Sequence, residues 1–177
     1  MGGLGSIGNA ESISAAAAEA ERLAAAGEHM RALEALDAAT DALWSRAPLG
    51  FRTALFVSEA SGFGVYTRRE STAFRAGEAV TVYVEPVGFS YGKSGAFNTI
   101  ILGAGLAIRN STGQVIAEAE ELFDVSLQSR ARNREFNMSL SFTMPDLIPG
   151  DYAAIFTVRD RNSAKTARFE LPFAIVE

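Results

Sequence analysis

Near residue 50 the spacing of the apolar side chains changes from helical to strand-like, and this change constrains the fold more than any single motif. Upstream, alanine-rich runs flank Gly27 and place apolar residues at intervals of three and four. Downstream, Ala79-Val80-Thr81-Val82-Tyr83-Val84 and Asp151-Tyr152-Ala153-Ala154-Ile155-Phe156-Thr157-Val158 read as strands. A helix gathers residues three and four apart on one face, whereas a strand gathers alternate residues. The chain therefore reads as mainly β with an α-helical N-terminal hairpin. The hairpin is expected over residues 11–48 and a β-sandwich domain over residues 51–177, after a flexible leader at residues 1–10.

In the helical part, Ser12 or Ser14 is placed to cap the first helix by accepting a backbone N–H. Ala15 to Ala26 has strong helix propensity. Gly27 ends the helix, because glycine accepts the left-handed backbone there. A second helix is predicted from about Glu28 to Ser45, closed by Pro48 and Gly50. Its Ala32, Leu33, Leu36, Ala39 and Leu43 mark one stripe expected to be buried. Gly27, Ala32, Leu33 and Ala39 together resemble the middle of a tetratricopeptide repeat. One repeat lacks the neighbours that such arrays need, so the peptide groove of that family is not implied. The expectation is a hairpin that covers its stripe on the β domain or on a second copy, which would make a homodimer.

In the β part, Leu55 to Val57 and Gly64 to Thr67 read as one broken strand. Ala79 to Glu85 follows and is stopped by Pro86. Residues 99–109 and 114–120 form a hairpin about Asn110-Ser111-Thr112-Gly113. Phe136, Met138, Leu140, Phe142 and Met144 alternate without a break and are expected to face one core. Pro149-Gly150 turns the chain into Tyr152–Asp160, and a polar turn leads to the last strand, 166–176. Pro172 within it predicts an edge or a bulge. Seven to eight strands with short turns have the rhythm of a sandwich.

Pro149-Gly150-Asp151-Tyr152, followed by a strand, a hairpin and a final strand, resembles the closing strands of immunoglobulin-like or fibronectin-type domains. Residues 74–85 resemble the second strand of such domains in uncharacterised bacterial exported proteins. The resemblance implies an immunoglobulin-like antiparallel sandwich and a periplasmic or extracellular location. The Cys–Trp–Cys hallmark of antibody domains is missing, since the chain has no cysteine and its one tryptophan, Trp44, lies in the helical region.

Composition removes several function classes. The chain has no cysteine, which excludes disulfides, thiolate catalysis and cysteine metal sites. Residues 1–50 carry three arginines against seven acids, and the remainder is nearly balanced, within a net charge of −5. Neither part is basic, so nucleic acid is not an expected partner. No stretch approaches the length of a membrane helix. The first residues lack the charged start and apolar core of a signal peptide. His29 is the only histidine and lies beside a helix turn, remote from the β loops, so neither a catalytic triad nor an imidazole metal site is expected. No cofactor is expected either.

Three groups remain as candidate sites. Residues 86–98 form a long glycine-rich loop in which Phe89, Tyr91 and Phe97 supply adhesive surface beside Lys93. Phe63 and Tyr66 are expected to extend that patch. Gly92-Lys93-Ser94 lacks the upstream glycine spacing of a phosphate loop, which excludes nucleotide binding. Arg130, Arg132 and Arg134 alternate, so on an extended segment they form a row that holds an anion or an acidic surface. Arg159, Arg161 and Arg168 join it if the strands are ordered as in related sandwiches. Glu118, Glu120, Glu121 and Asp124 are read as a solvated outer strand. The reading is a non-enzymatic module that binds a protein or ligand through the aromatic loop. The alternative is a carbohydrate-binding or carbohydrate-active sandwich using the same aromatics with Glu118, Glu120 or Asp124.

Overall fold

The computed structural model describes residues 13–177, which leaves the expected leader and Ser12 outside the described residues. The chain divides into two compact units, Met1–Ala47 and Pro48–Glu177.

The first unit is a pair of helices, α1 (Ile13–Ala25) and α2 (His29–Arg46). Gly27 joins them at φ +79°, a left-handed backbone that favours glycine. The Glu28 N–H then donates to the Leu23 carbonyl at 2.9 Å, satisfying the end of α1. The contact between the helices is mostly alanine: Ala20 and Ala32 are buried with Leu23, and Ala35 packs against them. The expected leucine stripe is not the buried one. Ala32 belongs to the contact, but Leu33, Leu36 and Leu43 are exposed. Alanine offers the closer approach of two backbones, so the alanine face wins the contact over the leucine face. Ala47 is extended (ψ 145°) as the residue before Pro48, and this ends α2.

The second unit is a β-sandwich. Its strands are β1 (Gly50–Gly62), β2 (Val65–Arg68), β3 (Ala73–Phe74), β4 (Ala79–Val87), β5 (Gly92–Ser94), β6 (Phe97–Asn110), β7 (Val115–Ser129), β8 (Met138–Thr143), β9 (Gly150–Asp160) and β10 (Thr166–Ile175). One sheet has the order β2-β1-β4-β8. The other runs β3-β10-β9-β6, with β5 and β7 both paired to β6. All pairs are antiparallel except β3 with β10. The strands absent from the sequence reading are the short ones, β2 as a separate element, β3 and β5. Two to four residues carry too little alternation to register as a period.

The two inner faces meet through apolar and aromatic side chains. Phe56 of β1 lies 4.9 Å from Phe74 of β3, and Phe142 of β8 lies 6.2 Å from Phe156 of β9. Val82, Val84, Leu102, Met138, Leu140, Phe156 and Val158 are fully buried between them. Alternation set this core: Phe136, Met138, Leu140 and Met144 are all buried and Phe142 half-buried. The Asn110–Gly113 turn forms as expected, with the Asn110 carboxamide oxygen accepting the Thr112 and Gln114 N–H groups. Pro172 lies on β10, whose other flank is paired only at Ala174 and Ile175, so its missing donor is tolerated there.

Candidate functional site

The expected loop 86–98 is a pinned structure rather than a free one. Part of it forms the β5–β6 hairpin, in which Gly92 pairs with Thr99 and Ser94 with Phe97. The rest is held by the turn between β9 and β10. Asp160, buried at the end of β9, accepts the Ser90 N–H at 2.8 Å. The same carboxylate accepts from the Asn162 N–H at 2.9 Å and from the Ser163 hydroxyl at 2.7 Å. Asn162 reaches back in turn, donating to the Ser90 and Thr99 carbonyls at 3.1 and 3.0 Å. Lys165 Nζ donates to the Gly88 carbonyl at 2.7 Å. A buried carboxylate that accepts three hydrogen bonds has its polar oxygens satisfied, and it fixes the segment that supplies the donors.

This anchoring decides what each aromatic does. Phe89 is fully buried, with its ring edge-on to Tyr91 (5.5 Å) and Phe136 (5.8 Å), so it is core and presents no surface. Tyr91 is half-buried and Phe97 is 36% exposed. Over these two rings lie the arginines. The Arg130 guanidinium is 5.1 Å from the Phe97 ring centre, and that of Arg132 is 5.6 Å from Tyr91. Asn98, buried, ties the two segments together by accepting from Lys93 Nζ at 2.7 Å and donating to the Arg130 carbonyl at 2.9 Å. The aromatic loop and the arginine row, some thirty residues apart in sequence, thus share one surface at the end of the sandwich. The row itself runs past the end of β7 as irregular chain. Arg130 and Arg132 are exposed and Arg134 is half-buried, so the three do not form the uniform face expected of an extended strand.

Other expected members lie elsewhere. Tyr66 lies tilted against Tyr83 with ring centres 4.4 Å apart, and Phe63 is half-buried at the tip of the β1–β2 hairpin. Tyr66 belongs to a different cluster, in which the Tyr83 hydroxyl donates to Glu85 at 2.8 Å and accepts the Gly64 N–H at 2.7 Å. Burial of the ring pushes the Tyr83 phenol up to about 12. Arg161 pairs with Glu121 at 3.0 Å and Asp124 at 3.6 Å, and Arg159 donates to the Glu120 carbonyl at 2.8 Å. Those two arginines serve β7 rather than the Arg130 row. Glu118 pairs with Ala107, nine positions along β6 from Asn98. At roughly 3.3 Å per residue that is about 30 Å, so Glu118 does not share a site with the aromatic loop, whereas Asp124, paired with Gly103, lies about 17 Å along the strand. His29 is exposed, and no group of three metal-ligating side chains gathers among the described residues.

Sequence reasoning overlooked Asp160, Asn162 and Asn98. The polar turn was legible as a turn, but its partners are sixty to seventy residues distant.

No family model matches the chain, and no curated protein matches it in sequence. Solved structures resemble it weakly. The C-terminal domain of wzt has 12% identity and a TM-score of 0.42, over 75% of each chain. The sporulation control protein Spo0M from Bacillus subtilis has 13% identity and a TM-score of 0.38, over 74% of this chain and 50% of its own. The alkylpurine DNA glycosylase AlkC from Pseudomonas fluorescens has 12% identity and a TM-score of 0.38, over 85% of this chain and 39% of its own. At such scores no ligand or activity transfers, and the β-sandwich rests on the strand pairing above. No helix among the described residues is long and apolar enough to cross a membrane.

Proposed function

We propose that the chain is a non-enzymatic binding module that recognises an acidic partner surface through Lys93, Phe97, Arg130 and Arg132. One observation carries this reading: the two arginines lie over the rings of Phe97 and Tyr91 on a loop that Asp160 holds in place. An arginine ordered on an aromatic face loses less freedom on binding, and its planar fork suits carboxylates. Titration of the chain with a fluorescent decaglutamate peptide tests the reading. Binding that weakens with salt, and that Arg130→Ser with Arg132→Ser abolishes while the melting temperature falls by no more than a few degrees, supports it. Equal binding by the variant overturns it.

A glycan is the second reading, favoured by the exposed ring of Phe97. A glycan array probed with the wild type and with Phe97→Ser decides between the two ligands.

Within the same proposal the β unit is immunoglobulin-like. The strand neighbours β1-β4-β8 and β10-β9-β6-β7 follow the A-B-E and G-F-C-C′ arrangement. The Tyr152 hydroxyl donates to the Ile148 carbonyl at 2.8 Å, the bond of a tyrosine corner. Export to the periplasm or cell surface goes with this reading, and fractionation of the producing cell checks it.

A further inference from the structure

The sandwich is open along one side. β8 ends its sheet, and the flank of β7 away from β6 pairs with no strand among the described residues. Between β7 and β8 runs an apolar groove of about 400 Å³, with Leu106 and Ile108 at its floor and Ala117, Leu122, Phe123 and Phe142 along its walls. None of the 15 residues of β7 is buried, and Leu122 is 45% exposed. Such an edge is a template for strand pairing unless it is blunted. The β6–β7 ladder shifts register twice, between Ala119 and Phe123 and again between Val115 and Ala117, and pairing is regular over Ala117–Ala119 and Phe123–Ser129.

The charges on this edge select the occupant. Ala117 and Ala119 pair with buried Ile108 and Leu106 on the inner face, whereas Glu118 pairs with Ala107 on the outer face. Glu121 and Asp124 are engaged by Arg161, but Glu118 and Glu120 form no ion pair among the described residues. A second copy paired antiparallel on β7 would set these acids opposite one another, which like charges disfavour.

We propose that β7 is a docking edge for an extended segment of a partner chain in which apolar residues alternate with basic ones. The segment extends the sheet by main-chain hydrogen bonds, its apolar side chains enter the groove, and its basic side chains meet Glu118 and Glu120. This surface is opposite in charge to the Lys93–Arg132 patch, and the proposal stands independently of that reading.

The test uses the whole chain and the peptide acetyl-Lys-Val-Lys-Leu-Lys-Val-Lys-amide, read by fluorescence anisotropy and by hydrogen exchange. The expected result is binding with slowed exchange confined to residues 115–129. Glu118→Lys with Glu120→Lys weakens it about tenfold, and the glutamate-for-lysine peptide restores affinity for that variant. Leu122→Ser weakens both peptides by emptying the groove. Protection elsewhere, or equal affinity for wild type and variants, overturns the proposal. A free chain that light scattering shows to be dimeric, with β7 already protected, also overturns it in favour of a second copy.

Discussion

The Asp160 carboxylate accepts the Ser90 N–H at 2.8 Å across seventy residues of chain. Through this bond a polar turn on one hairpin holds the loop that carries Tyr91 and Phe97. Asp160→Ala leaves the Ser90 and Asn162 N–H groups without their acceptor and is expected to cost about 3 kcal/mol. Urea unfolding measures the loss, and native-state exchange of the Ser90 amide shows whether the loop loosens. Asp160→Asn keeps one acceptor oxygen and costs less.

Phe89 and Phe97 lie eight residues apart and have opposite fates. Phe89→Ser removes a fully buried ring and is expected to cost about 3–5 kcal/mol. Phe97→Ser removes an exposed ring and its contact with Arg130, about 1 kcal/mol. Thermal unfolding of the two single variants separates the core residue from the surface one.

Gly103 and Gly105 of β6 test the β7 bulge. A Cβ on Gly105 would sit 2.4 Å from the Glu120 carbonyl oxygen, which is backbone and cannot swing aside. Gly105→Ala is therefore expected to cost about 2–3 kcal/mol or to detach the bulge. A Cβ on Gly103 would meet the Arg161 guanidinium at 2.7 Å, the end of a long side chain that can move. Gly103→Ala is expected to cost about 1 kcal/mol or less. Chemical denaturation of both compares them directly.

The Tyr83 cluster makes stability depend on alkaline pH. The phenol titrates near 10 when unfolded and at about 12 when folded. The unfolded chain thus releases this proton first, and the contribution, full below pH 10, is lost between pH 10 and 12. Tyr83→Phe removes that component of the pH dependence. It also leaves Gly64 N–H without its acceptor, at about 1–3 kcal/mol near neutral pH. Melting temperatures of both proteins from pH 8 to 12 check the window.

Local signals carried most of the fold. The alternation of Phe136 to Met144 assigned an inner face because side-chain direction in a strand depends on neighbours two residues away. The Asn110–Gly113 turn was legible because its bonds close within four residues. The helix stripe was misread because spacing shows an apolar face without saying which of two faces the partner helix takes. The site was legible as two fragments, the aromatic loop and the arginine row. Their meeting depends on Asn98 and the β6–β7 register, which pairs Asn98 with Ser129. Pairing between distant strands leaves no mark in either strand alone.

The central claim is that one pinned surface at the end of the sandwich does the binding. Backbone amide NMR during titration with the decaglutamate peptide tests it most directly. The account predicts shifts concentrated at Lys93, Phe97, Arg130 and Arg132, saturating together, with the Ser90 and Asn162 amides unchanged in their hydrogen bonds. Shifts scattered over the surface, or centred on another part of the chain, would contradict it.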